Sequence, residues 1–184
     1  MIKTTTRFAA AFALTLALLA LPSCSTNGLG DDAAPLYLTV EYSALLVGKS
    51  VSSGTPLQFA TTTFTNKMKN PAAGTSSMLD VRIDDYVVEW KRIDGGTKAP
   101  KAETFASSVL VPVGGSATST NNLIMSISAL SLSPLDQLFS YNGGIDRETG
   151  NSQIRCAGTV TYRGHTISGQ PIQATATFDM TFTQ

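Results

Sequence analysis

Apolar and polar side chains alternate strictly along the C-terminal segment 172–183. The apolar positions are Ile172, Ala174, Ala176, Phe178, Met180 and Phe182. Because every second side chain of a β-strand points to the same face, this pattern predicts a strand with one buried and one solvated face. Segment 154–163 alternates in the same way. The turn-rich stretch 164–169 between the two segments predicts a hairpin.

Five more strands are predicted upstream, where glycine, proline and asparagine separate the apolar stretches. They are Leu36–Val47, Leu57–Thr65, Leu79–Ile93, Phe105–Val113 and Leu123–Leu130. One short helix is predicted from Pro134 to Phe139, with Ser133 as its N-cap and Asp136 in its first turn. No internal repeat is present, which argues against a propeller or a solenoid. We therefore expect an all-β protein whose residues 36–184 form a single antiparallel β-sandwich of about seven strands.

The pattern of residues 36–184 resembles the immunoglobulin-like sandwich of cell-envelope proteins. Trp90, on a mid-chain strand, suits the buried tryptophan of that fold. The inter-sheet disulfide of antibody domains has no counterpart if Cys24 is modified as described below, because Cys156 is the second of two cysteines. Cys156 is then expected to be a small buried hydrophobic residue. A disulfide between the two cysteines would contradict this interpretation.

The first 23 residues have a different pattern from the rest of the chain. Lys3 and Arg7 precede an apolar run from Phe8 to Leu21 that only Thr15 interrupts. The run is shorter than the roughly 20 residues of a membrane-spanning helix. A basic start followed by a short apolar run is typical of an export signal peptide, which we assign to residues 1–23. The alternative, a buried N-terminal helix of the domain, lacks the expected polar face.

The leader ends in Leu21-Pro22-Ser23-Cys24, which resembles the lipobox of bacterial lipoproteins, with Pro22 as its one unusual position. The resemblance implies cleavage before Cys24, a diacylglyceryl group on its sulfur and an acylated amine, and two or more acyl chains anchor a protein stably. Ser25 in place of aspartate implies delivery to the outer membrane. Ordinary secretion with cleavage at an Ala-x-Ala-like site is the alternative. The small and polar residues 24–35 predict a flexible tether that extends to about 35 Å.

Charge excludes some partners. The chain has 13 basic and 13 acidic residues, and the leader holds two of the bases and no acid, so the rest carries a net charge of −2. A nucleic-acid-binding surface needs clustered lysine and arginine, so no nucleic-acid partner is expected. A polybasic membrane-binding face is also excluded. The expected membrane contact is the lipid on Cys24.

Catalytic and cofactor motifs are absent from the sequence. The single histidine, His165, lies in a predicted turn and is expected to be solvated. A Ser-His-Asp triad would need a carboxylate and an activated serine beside it, and no Gly-x-Ser-x-Gly motif is present. One histidine and one free cysteine are too few for a usual zinc site. We therefore predict no catalytic, cofactor-binding or metal-binding residue, and no cofactor.

Loop carboxylates are the alternative source of chemistry. They are Asp84, Asp85, Asp94, Asp146 and Glu148. Asp146 and Glu148 have a spacing that fits a weak calcium loop, but the further acids of an EF-hand are missing. The competing interpretation is an ordered turn in which Asp146 accepts hydrogen bonds from backbone amides and Arg147 faces solvent. The segment Lys91–Lys98 is predicted to be a cationic hairpin tip, whose charges either contact a partner or block aggregation at a sheet edge.

Two functions follow from these observations. The first is a membrane-anchored cell-envelope lipoprotein that acts without catalysis, as a binding or structural module for an envelope protein or a glycan. The alternative is a periplasmic or surface hydrolase that acts on polysaccharide or peptide through the loop carboxylates. The second requires those carboxylates to converge in one cleft.

Overall fold

The computed structural model describes residues 34–43 and 48–184. The predicted signal peptide, Cys24 and nearly all of the tether lie outside these residues, as does the end of the first predicted strand. No helix among the described residues is long and apolar enough to cross a membrane.

Eight strands and a few short helical turns make up the described part of the chain. The strands are β1 (Leu36–Tyr42), β2 (Gly48–Ser50), β3 (Leu57–Met68), β4 (Val81–Arg92), β5 (Glu103–Val111), β6 (Ser116–Met125), β7 (Gln153–Thr166) and β8 (Pro171–Thr183). One α-helical turn, α1 (Ile127–Leu130), follows β6. The 3₁₀ turns are Val51–Ser53, Ser77–Leu79, Leu135–Leu138 and Ser140–Asn142.

The strands form two sheets, with the orders β1-β3-β6 and β2-β8-β7-β4-β5. All pairs are antiparallel except the short pair of β2 with β8. Two mainly antiparallel sheets that enclose a shared apolar core form a β-sandwich. Trp90 lies on β4 and is buried. The prediction of an all-β sandwich is therefore confirmed.

Aromatic side chains join the inner faces of the two sheets. Phe59 of β3 packs edge-on against Phe178 of β8, and Phe64 of β3 packs edge-on against Tyr162 of β7. Gly158 of β7 provides space for the Phe178 ring, which a Cβ at this position would overlap. Such edge-to-face pairs contribute about 0.5–1.5 kcal/mol each beyond the area that they bury.

The two ends of the sandwich differ. At the end that we call proximal, the described chain enters β1, and Leu36 pairs with Met68 at the end of β3. At the opposite end, which we call distal, β4 ends and β7 begins. The distal end carries the long segments 93–102 and 126–152. β4 has 12 residues, so the two ends are separated by roughly 40 Å.

Some local predictions were wrong. Residues 127–130 form α1 and not the end of a strand, because the Ser126 side chain accepts a hydrogen bond from the Ala129 amide and starts a helical turn. A short helical element does lie within the predicted bounds 134–139, as the 3₁₀ turn Leu135–Leu138, but the predicted cap is wrong because Ser133 does not cap it. Pro134 occupies the N-cap position, and burial of Leu135 and Leu138 holds the turn in place. His165 lies within β7 and not in the following turn.

Candidate functional site

A buried arginine organises the distal end. Arg92 is the last residue of β4, and its side chain is only 2% exposed. Its Nε donates to Asp94 Oδ1 at 2.6 Å, and its Nη2 donates to Asp94 Oδ2 at 2.9 Å and to Asp146 Oδ2 at 2.7 Å. Its Nη1 donates to the Lys98 carbonyl at 3.2 Å. One guanidinium therefore ties the segment 94–98 to the loop that contains Asp146.

Charge and hydrogen bonds shift the acidity of this cluster. The two carboxylates raise the pKa of the Arg92 guanidinium above its ordinary value, in spite of the opposing effect of desolvation. Arg92 and the amides of Arg155 and Gly96 outweigh desolvation at Asp94 and lower its pKa from 3.8 to about 2. The pKa of Asp146 is lowered as well, against desolvation, by Arg92 and by Thr149. The charged forms of all three groups are therefore favoured in the folded protein.

The loop around Asp146 is an ordered turn. Asp146 accepts hydrogen bonds from the Thr149 hydroxyl at 2.7 Å and from the amides of Thr149 and Glu148. Arg147 is exposed. This is the ordered-turn interpretation of the sequence, and both carboxylate oxygens of Asp146 are occupied by protein donors. Among the residues that the structure describes, no three acidic, histidine or cysteine side chains are grouped as metal ligands.

Glu148 binds the facing turn. Its carboxylate accepts hydrogen bonds from the Thr97 amide at 2.6 Å, the Thr97 hydroxyl at 2.9 Å and the Lys98 amide at 3.1 Å. These bonds lower the pKa of Glu148 below its ordinary value. The expected cationic tip 91–98 is thus a docked turn. Its Arg92 is buried, while Lys91 and Lys98 remain exposed.

The other two predicted acids lie elsewhere, on the outer face of the five-stranded sheet. Asp84 Oδ2 is 2.7 Å from His165 Nδ1, and Asp85 Oδ1 accepts a 2.7 Å hydrogen bond from Arg163 Nε. Ten residues of extended chain separate Asp84 from Asp94, or roughly 33 Å. The five carboxylates therefore form two separate groups. Four of them contact an arginine or histidine side chain, and Glu148 is bound by Thr97 and the Lys98 amide.

His165 has one of the two partners that a catalytic triad would need. Its side chain is 42% exposed, as expected for a solvated residue, and Asp84 contacts its Nδ1. Within the described residues, no serine or threonine hydroxyl is hydrogen-bonded to the ring. The nearest hydroxyl pair in sequence, Thr166 and Ser168, bonds internally. The histidine and its carboxylate thus lack a nucleophile in hydrogen-bonding contact.

A shallow groove of about 310 Å³ lies between the start of β5 and α1. Its acidic side chain, Glu103, accepts hydrogen bonds from the Ser126 amide at 2.8 Å and the Ser126 hydroxyl at 2.6 Å. Glu103 therefore helps to hold the start of α1. Both oxygens of the Glu103 carboxylate are thus bound by Ser126 of the same chain.

Cys156 is buried in the core, as expected. Burial raises the pKa of its thiol to about 12. At neutral pH the sulfur is protonated, and a protonated and inaccessible thiol is neither a nucleophile nor a metal ligand.

An exposed aromatic ring is the distal feature that sequence reasoning missed. Tyr141 is 77% exposed and stacks on Phe139, with ring centroids 5.2 Å apart and planes inclined by 24°. Two aromatic residues two positions apart, just before Asn142-Gly143-Gly144, were a signal for an aromatic residue in a turn. The role of Arg92 had no local signal, because its partner Asp146 is 54 residues away.

A comparison of the chain with models of known protein families found no match, and a comparison with curated proteins found no significantly similar sequence. Functional inference for this chain therefore depends on its own residues and their geometry.

Proposed function

We propose that this protein is a lipid-anchored module of the bacterial cell envelope that binds an envelope partner through its distal end and performs no catalysis. The lipobox-like segment that ends in Cys24 supports the anchor. The acyl chains would hold the protein to a membrane, with the outer membrane as the expected site because Ser25 follows the cysteine. The tether 24–35 would separate the sandwich from the lipid headgroups.

One observation carries the assignment of the binding surface. The described chain enters β1 at the proximal end, so the distal end is the end of the sandwich that lies roughly 40 Å from this entry point. The distal segments are joined by the Arg92 and Glu148 interactions, and they present Tyr141 to solvent. Binding residues on loops that a stable scaffold positions are the usual arrangement of sandwich domains.

The anchor is tested by mass spectrometry of the mature N-terminus from the bacterial membrane fraction. We expect an N-terminal Cys24 with the added mass of a diacylglyceryl group and an acyl chain. A retained leader, or cleavage elsewhere with an unmodified Cys24, would contradict the anchor. A disulfide between Cys24 and Cys156 would contradict it equally.

The binding surface is tested by photo-crosslinking in intact cells. A photoreactive amino acid in place of Tyr141 should give a consistent adduct with an envelope component. The matched control replaces Met78, which is 52% exposed and lies at the proximal end, and should not give that adduct. Equal adducts at both positions, or none at Tyr141 under any growth condition, would contradict distal binding.

The hydrolase alternative needs a solvent-facing pair of carboxylates. Asp94 and Asp146 are bound to Arg92, and Glu148 is bound to backbone amides, so Asp84 and Asp85 are the pair left for this chemistry. Hydrolysis of polysaccharide or peptide by the purified protein that is lost in both Asp84→Asn and Asp85→Asn would support the alternative. It would also contradict the non-catalytic proposal.

A further inference from the structure

Five large apolar side chains are exposed on the distal segments. They are Ile93, Ile127, Leu132, Tyr141 and Ile145. Their exposed fractions range from 42% to 77%. A single exposed apolar side chain is ordinary on a protein surface, whereas several at one end of a domain indicate a surface that makes contacts.

Two of these side chains flank the buried ion cluster. Ile93 lies between Arg92 and Asp94 in the chain. Ile145 directly precedes Asp146. The 2.7 Å hydrogen bond from Arg92 to Asp146 therefore places the two isoleucines on adjoining segments that are tied to each other. Segments that are ordered in this way before binding lose less entropy when a partner covers them.

Tyr141 is held in a closed turn. Its ring stacks on Phe139, with centroids 5.2 Å apart. The amides of Asn142 and Gly144 both donate to the Phe139 carbonyl, at 2.9 and 3.1 Å. Gly143 ends the turn with φ of 110°, a conformation that favours glycine. A fixed and exposed tyrosine is typical of the few residues that contribute most of the binding energy in a protein interface.

The charges of the distal end are sorted between surface and interior. Within residues 91–103 and 126–155, Glu148 is the one exposed acid. The exposed cations of the same residues are Lys91, Lys98, Lys101, Arg147 and Arg155. None of these five side chains forms an ion pair with another described residue. The outer surface of this end is therefore cationic, although its bases and acids are nearly equal in number. We call these exposed apolar and cationic residues the distal surface.

We propose that the distal surface docks an envelope protein that presents acidic side chains around an apolar centre. This inference rests on the proposed function and specifies its partner. Apolar side chains form the centre of a protein interface, and charges at the rim select a partner of opposite charge and speed its approach. Ile93, Tyr141 and Ile145 would supply the centre. Arg147 and Arg155 would belong to the rim.

Two features favour a protein over an anionic membrane or an acidic polysaccharide. The carboxylate of Glu148 lies among the cations, and its hydrogen bonds with Thr97 and the Lys98 amide lower its pKa and keep it ionised. A uniformly anionic surface is repelled by this carboxylate, whereas a protein can place a donor opposite it. The isoleucine side chains offer a polysaccharide neither a hydrogen bond nor an aromatic face, but they pack well against the apolar centre of a protein interface.

The first measurement identifies what contacts Tyr141 in intact cells. A photoreactive amino acid replaces Tyr141, and mass spectrometry of the adduct identifies the component and, for a protein, the crosslinked peptide. We expect a protein whose crosslinked segment carries a net negative charge. A lipid or glycan adduct, or a peptide from a neutral or basic segment, would overturn the inference.

Charge reversal supplies the second measurement. Arg147 is exposed and its side chain forms no ion pair with a described residue, so Arg147→Glu should leave the fold and Tm unchanged. The substitution exchanges an attraction for a repulsion and should lower the adduct yield about tenfold. Lys67→Glu is the matched control, because Lys67 is exposed near the proximal end of β3, and it should leave the yield unchanged. Reversal of an acid in the crosslinked segment should restore the adduct of the Arg147→Glu protein.

The outcomes separate this inference from the proposed function. Equal adduct yields from the Arg147→Glu and Lys67→Glu proteins would overturn the acidic partner. If the adduct at Tyr141 forms but does not depend on Arg147, the inference fails and binding through the distal end stands. If Tyr141 gives no adduct under any growth condition, both fail.

Discussion

The ion cluster at the distal end predicts a large loss of stability when Asp146 is replaced by asparagine. Asp146 has no exposed surface, and its two oxygens accept hydrogen bonds from Arg92, the Thr149 hydroxyl and amide, and the Glu148 amide. Whichever way the amide of Asp146→Asn turns, its NH₂ group meets a donor. The substitution also leaves the buried guanidinium with one carboxylate in place of two.

The magnitude follows from these contacts. Removal of one partner from a buried ion pair costs about 3–5 kcal/mol, and a hydrogen bond to a charged group contributes about 1.5–3 kcal/mol. Because Asp94 still binds Arg92 through two hydrogen bonds, we expect the lower part of these ranges, about 2–3 kcal/mol. For a domain of this size, that loss lowers Tm by about 5–10 °C.

Urea unfolding followed by the fluorescence of Trp90, the single tryptophan, measures the change in the free energy of unfolding. The control is Asp85→Asn, because the Asp85–Arg163 pair is substantially exposed and should contribute less than about 1 kcal/mol. Adding Arg92→Met to Asp146→Asn should cost less than the sum of the single losses, because both changes remove the same Arg92–Asp146 interaction. A loss at Asp146 no larger than that at Asp85 would refute the reasoning.

Three further predictions follow from the same structure. Folding lowers the pKa of Asp94 to about 2 and also lowers that of Asp146. The two carboxylates therefore stabilise the folded protein fully above pH 3.8, and this contribution is lost as the pH falls toward 2. The free energy of unfolding should drop over this interval. Asp146→Asn should flatten that drop in pH-dependent urea titrations, and an unchanged slope would contradict the assignment. Gly158→Ala should destabilise the protein by about 1–3 kcal/mol in the same assay, because its Cβ would overlap the Phe178 ring; a neutral effect would show that the core accommodates it. The Cys156 thiol should resist alkylation at pH 8 in the folded protein and should react in urea, because it is buried. Mass spectrometry measures the labelled fraction, and rapid labelling without urea would contradict the burial.

The strands were predictable because their signal is local. The alternation along 172–183 is set by the burial of one sheet face, and β8 follows it over Pro171–Thr183. The same rule failed at residues 127–130, where apolar residues continue but the Ser126 side chain caps a helical turn. Tertiary contacts with Glu103, 23 residues away, support that cap and leave no mark on the neighbouring sequence.

The acidic residues show why the candidate site was harder to predict than the fold. From the sequence, Asp146 and Glu148 are two nearby acids in a glycine-rich loop, a composition that fits a cation site as well as a turn. The cation that Asp146 binds is Arg92, from the end of a strand 54 residues earlier. Because β4 pairs with β7, the end of β4 lies beside the loop that precedes β7, and this pairing brings the two charges together.

The ion pairs of Arg92 with Asp94 and Asp146 also bear on the proposed function. The Arg92 guanidinium is hydrogen-bonded to both Asp94 and Asp146, and these bonds join the turn 94–98 to the loop that contains Asp146. A hydrolytic site would need its carboxylates free to exchange protons near neutral pH, whereas the lowered pKa values of these two keep them ionised and paired. A binding surface has the opposite requirement, because segments ordered beforehand lose less entropy when a partner binds. In the proposed function, these charges would therefore hold the distal segments in place for a partner.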